Sequence, residues 1–73
     1  MLEILLVFSM NYGPIDVSDR IFYSYQECAE FVNAIARQEV VRPDYNFQFI
    51  ASDGATFVGQ CIDKYDWAKG EKI

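Results

Sequence analysis

The side chains best suited to chemistry in this chain are two cysteines, Cys28 and Cys61, and two close-set carboxylate pairs, Asp16 with Asp19 and Asp63 with Asp66. The cysteines are too far apart in sequence for a C-x-x-C redox motif. A zinc site would need further Cys or His ligands. The chain has no histidine, so the usual general base, nucleophile activator and transition-metal ligand are missing. Nothing around either carboxylate pair suggests burial, and both read as solvated surface. Gly13, Gly54, Gly59 and Gly70 are isolated, so no phosphate-cradling loop is present. The expectation is a protein that is not an enzyme and takes no cofactor and no metal. What the cysteines can still do is pair with each other, and that depends on the elements that carry them.

The clearest element is Tyr45-Asn46-Phe47-Gln48-Phe49-Ile50-Ala51, where three rings alternate with polar residues. A strand sends successive side chains to opposite faces, so the rings share one face. Ser52-Asp53-Gly54 is a turn signal, and Thr56 to Ile62 resumes a strand. A three-residue loop with a left-handed Gly54 sets Phe49 opposite Phe57, Phe47 opposite Gly59 and Tyr45 opposite Cys61, all on one face. A two-residue loop would mix the faces, so the first register is preferred. Gly59 leaves room for an aromatic ring.

Upstream, Ser24 and Glu27 have the spacing of a capping box, with Tyr23 and Cys28 as a hydrophobic staple. The helix they open should run to about residue 38. Its apolar stripe is Cys28, Phe31, Val32 and Ile35, with Ala29 and Ala36 beside it. Glu27, Glu30, Asn33 and Arg37 fall on or near the wet side, and Arg42-Pro43 stops any continuation. Before the helix, residues 2–10 read as a strand with two apolar faces, the mark of an interior strand. Asn11 to Pro14 breaks it, and residues 17–23 return antiparallel.

These elements predict an α+β domain of order β-β-α-β-β, with one helix packed on one face of a four-stranded, mainly antiparallel sheet. The hairpins and the crossover suggest the strand order 2-1-3-4. The whole chain, 1–73, is one domain, with a polar tail from residue 63 wrapping loosely over it or fraying. Seventy-three residues give a small core. The hydrophobic content of 52% is high enough to argue against intrinsic disorder.

In this arrangement Cys28 lies on the helix stripe and Cys61 on the aromatic face of the last strand. Both point into the helix–sheet interface, where a disulfide is geometrically reasonable. The bond would close a loop of about 34 residues, worth about 3–4 kcal/mol in the chain-entropy model. Two buried reduced thiols acting as small hydrophobes is the alternative. The apolar start Leu2–Phe8 carries Glu3 where a signal peptide needs a positive region, has no small-residue cleavage site after it, and is too short to span a bilayer. A soluble, cytoplasmic protein is expected, and that compartment favours free thiols.

Eleven acidic against six basic residues give a net charge of −5. That balance argues against direct nucleic-acid binding and against docking on an anionic membrane. The rings that could stack on bases should face the helix, and the basic residues are scattered. Charge of this sign serves solubility, or it aims at a basic partner. One helix covers one face of a sheet, so the other face should carry Leu5, Val7, Ile50, Val58 and Ile62 among Asn46, Gln48, Thr56 and Gln60. An apolar strip of this kind suggests a protein interaction face, with self-association the simplest version. Scattered surface apolars are the bland alternative. The functional expectation is a small interaction module, a homodimer or one with an unknown protein partner. The other reading is an acidic inhibitor or decoy of a nucleic-acid-binding host protein.

The segment Phe22-Tyr23-Ser24-Tyr25-Gln26-Glu27-Cys28, with a helix after it and Cys61 on a last strand, resembles a loose group of very small uncharacterised proteins. These are common in phage and marine microbial genomes and also tend to open with a short apolar strand. The resemblance covers most of the chain and rests on a capping box and two cysteines. It implies a viral origin and no activity.

Overall fold

Apolar residues at alternate positions on both faces make the first and last strands the interior of the sheet. In the computed structural model, which describes residues 2–70, β1 (Ile4–Met10) and β4 (Thr56–Asp63) lie side by side. The edges are β2 (Ile15–Phe22) and β3 (Asn46–Ile50), and every pairing is antiparallel. The order is β2-β1-β4-β3, which corrects the order 2-1-3-4 drawn from connectivity. The reason lies in the outer faces of the second hairpin. On that face β4 carries Val58 and Ile62 with Thr56 and Gln60, whereas β3, three residues shorter, carries Ile50 with Asn46 and Gln48. The more apolar strand takes the interior and the more polar one the edge.

Two turns close one end of the sheet. Asn11 and Tyr12 both have positive φ, 52° and 59°, and Gly13 N–H donates to the Met10 carbonyl at 3.0 Å. That is the hairpin turn whose twist suits antiparallel strands. In the second hairpin Ala51 N–H donates to the Ala55 carbonyl, Gly54 has φ 90°, and Phe49 faces Phe57 while Phe47 faces Gly59. Cys61 N–H donates to the Tyr45 carbonyl at 3.0 Å. The three-residue loop and its register are as expected. The two turns are tied together: Asn11 N–H donates to the Thr56 carbonyl and Thr56 N–H to Asn11 Oδ1.

Helix α1 (Tyr25–Ala36) starts where expected, with Glu27 N–H donating to Ser24 Oγ at 3.0 Å. The staple does not form: Tyr23 is exposed while Cys28 is fully buried in the core. The helix ends at Ala36 because Arg37 turns left-handed, φ 60°. Asn33, expected on or near the wet side, organises the return of the chain: its Oδ1 accepts from Val40 and Val41 N–H at 2.8 and 3.1 Å.

The core beneath α1 is built from Ile4, Leu6, Phe22, Cys28, Val32, Phe47, Phe49 and Cys61. Gly59 sits where a Cβ would meet the Val7 carbonyl oxygen and come within 2.8 Å of the Phe47 ring. The ring occupies the space that a side chain would need.

The tail departs most from expectation. Residues Lys64–Ala68 form a second short helix, α2. Asp63 caps it, accepting from Tyr65 N–H at 2.7 Å, and Lys64 N–H donates to the Glu3 carbonyl. Ile62 before the cap and Trp67 in the helix pack together with Leu5 and Val7, the arrangement of a hydrophobic staple. The tail therefore closes over the outer face of the sheet at the end opposite the turns. Residues 71–73, the last of the expected tail, lie outside the described residues.

Candidate functional site

Cys28 and Cys61 are brought together. Their Cα atoms are 6.2 Å apart and the sulfurs lie at disulfide distance. Both are buried, one on the first turns of α1 and the other on β4, so the pair joins helix to sheet inside the core. Beside it the Tyr25 and Tyr45 rings stack at 4.7 Å. Burial, and then the charges of Asp63 and Asp66, push the Tyr25 phenol above its usual range. The carboxylate pairs are dispersed to other tasks: Asp63 caps α2 and Asp66 is exposed on it. Asp16 and Asp19 stand exposed on β2.

The five residues expected on an open outer face do share that face, as their pairing shows. Leu5 faces Ile62, Val7 faces Gln60, Val58 faces Gln48 and Ile50 faces Thr56. They do not share the same environment. Leu5, Val7 and Ile62 are buried under Ile21 and Trp67, Val7 completely. This corrects the picture of a wholly uncovered face, because a polar tail with one tryptophan was enough to cover half of it. Val58 is half-buried and Ile50 is 68% exposed. What stays open is the half nearer the turns, where Ile15 and Val17 also stand exposed on β2.

The helix side has a similar gap at the same end. Helix α1 leaves an apolar cavity of about 430 Å³ open to solvent between itself and the sheet. Phe8, Phe49 and Phe57 line its sheet side, Phe31 and Ile35 its helix side, and Asp16 and Asp19 its rim. The rings form a continuous run, with Phe49 stacked on Phe57 at 5.2 Å and Phe8 tilted against Phe57 at 6.3 Å. Ile35, expected in the core, is 55% exposed here. Sequence reasoning missed this groove because it treated the helix stripe as wholly covered by the sheet. A signal was present: a 12-residue helix is about 10 Å wide, whereas four strands about 4.8 Å apart are wider.

Among the described residues, no helix is long and apolar enough to cross a membrane. Comparison with known proteins finds no matching family model, no matching curated protein and no matching solved structure.

Proposed function

We propose that this chain is a non-catalytic protein-interaction module that docks through the turn end of its sheet, with a second copy of the chain as the occupant of the open outer-face half. One observation carries the reading. Most of the large apolar side chains left exposed among the described residues gather at that end, namely Met10, Tyr12, Ile15, Val17, Ile35 and Ile50, while Leu2, Tyr23 and Tyr65 are exposed at the other. At the opposite end α1 packs on one face of the sheet and Trp67 of α2 covers Leu5, Val7 and Ile62 on the other. A domain that buries the sheet's apolar residues on both faces at one end and leaves most of its exposed apolar side chains at the other has the distribution of a contact surface. A second copy is the simplest occupant, because an isologous contact needs no other partner.

Sedimentation velocity over a range of concentrations tests this. The wild type should associate, and Ile50→Lys should shift it to monomer with unchanged circular dichroism, since that side chain already reaches solvent. A wild type that is monomeric throughout would sink self-association.

A second reading is an acidic chain that occupies the basic site of a nucleic-acid-binding protein. The net charge of −5 favours it. High salt should abolish binding of that kind and leave apolar docking intact.

A further inference from the structure

We propose that the groove on the helix side of the sheet receives a basic amphipathic helix from a partner protein. The inference rests on the interaction-module reading but not on self-association, which uses the other face. Three features select this occupant.

The first is shape. Residues from all four strands and from α1 line the groove. Strands about 4.8 Å apart make such a groove about 14 Å across, the length of about ten helical residues at 1.5 Å each. Its volume, about 430 Å³, is that of a site for a few large apolar side chains, which is what one face of an amphipathic helix delivers.

The second is the unfinished stripe of α1. Cys28 and Val32 are buried, but Ile35, next on the same stripe, ends in the groove with most of its surface open. A second helix lying against it would complete the burial that the sheet begins.

The third is charge. Asp16 is paired with Phe8 across β2 and β1, so its carboxylate stands on the groove side. Asp19 follows in the irregular stretch of β2 between the Val17 and Ile21 pairings. Among the described residues no Lys or Arg lines the groove and neither carboxylate has an ion-pair partner. The neighbouring cation, Arg20, lies over the rings of Phe22 and Phe31, 5.1 and 5.0 Å from their centroids, and pairs with neither carboxylate. Lysines or arginines flanking the apolar anchors of a partner would meet two unanswered carboxylates, and the net charge of −5 would steer them there. An acidic helix would meet repulsion.

The test uses the full chain and a labelled 14-residue Leu–Lys amphipathic peptide, read by fluorescence anisotropy at low salt, with a Leu–Glu peptide of the same pattern beside it. The Leu–Lys peptide should bind, and it should shift the NMR signals of Phe8, Ile35 and Phe57. The double variant Asp16→Asn with Asp19→Asn should weaken binding about tenfold, the effect of two exposed ion pairs. Glu30→Gln with Asp66→Asn removes the same formal charge elsewhere and should change affinity less than about twofold. Equal losses in the two double variants would reduce the effect to net charge and overturn the proposal. So would equal binding of the Leu–Glu peptide, or shifts confined to Ile15, Ile50 and Val58. A dimeric wild type that ignores the peptide sinks the groove alone. A monomeric wild type whose Ile35 responds to the peptide sinks self-association alone.

Discussion

Cys28 and Cys61 stand 6.2 Å apart between the first turns of α1 and the end of β4, and the loop between them holds nearly all of the helix, the return segment and the whole of β3. If bonded, the pair ties together elements that meet only late in the chain, so its effect falls chiefly on the unfolded state.

That bond should contribute about 4 kcal/mol in the chain-entropy model for a loop of this size. In a domain this small the corresponding drop in melting temperature is about 20 °C. Thermal unfolding with and without a reducing agent, followed by circular dichroism, measures it. Coincident curves would mean that the two sulfurs sit together as free thiols.

Substitutions at the helix start and in the core should separate clearly. Ser24→Ala removes the acceptor for Glu27 N–H and should cost about 1 kcal/mol. Phe22→Ala empties a fully buried site beside α1 and should cost about 3–5 kcal/mol. Phe31→Ala should cost less than Phe22→Ala, because Phe31 is half-buried at the groove. Urea titrations rank the three, and a cap variant weaker than Phe22→Ala would contradict the assignment of the core.

Trp67→Ala should behave as a core change although it lies in the tail. It uncovers Leu5, Val7 and Ile62, and about 2 kcal/mol should be lost with the buried ring area. Binding of an apolar dye to the variant should rise at the same time. An unchanged urea midpoint would show that α2 does not hold the outer face closed.

Asp44 and Tyr25 are shifted from their ordinary values with opposite signs. The hydrogen bond from Asn46 N–H, above all, holds Asp44 below its ordinary 3.8. Its share of stability is present above that value and is lost as pH falls through the lower folded value. Tyr25 is raised from 10.0, chiefly by burial. Its share is present below 10.0 and is lost as pH rises through the higher folded value. NMR titration of each residue should show the two displacements, and Tyr25→Phe should flatten the alkaline limb of a stability–pH curve.

The chain's elements were legible wherever one local rule governed them. Alternation at Asn46–Ile50, the Gly54 turn and the Ser24 cap each act within a few residues, and each appears in the structure, although Tyr45 turns left-handed just before the strand. Strand order was not legible from connectivity, since both hairpins fit either order. A clue lay in the second hairpin, where β4 is long enough to pair with the whole of β1 and carries two outward apolar residues, Val58 and Ile62, against the single Ile50 of β3. The tail was misread because its overall polarity concealed a short sequence rule. Ile62, Asp63, Asp66 and Trp67 stand in the positions of staple, cap, third residue and staple partner. The outer face was consequently only half understood, since Leu5, Val7 and Ile62 were left without the cover that Trp67 provides. The groove depends on where a helix of given width comes to rest on a sheet, which no local pattern encodes.

Ile4 pairs directly with Asp63, so the segments leading to both described ends leave the sheet side by side, far from the turns. A tether attached at each end would load the central β1–β4 ladder in peeling geometry, opening its hydrogen bonds one after another rather than all at once. Mechanical resistance should then be low, and a covalent link between Cys28 and Cys61 would arrest extension only after β1 and β2, which both precede Cys28, have been drawn out. In a force-extension experiment the oxidised chain should release the stretches before Cys28 and after Cys61 and stop short by the loop between them, while the reduced chain should extend fully.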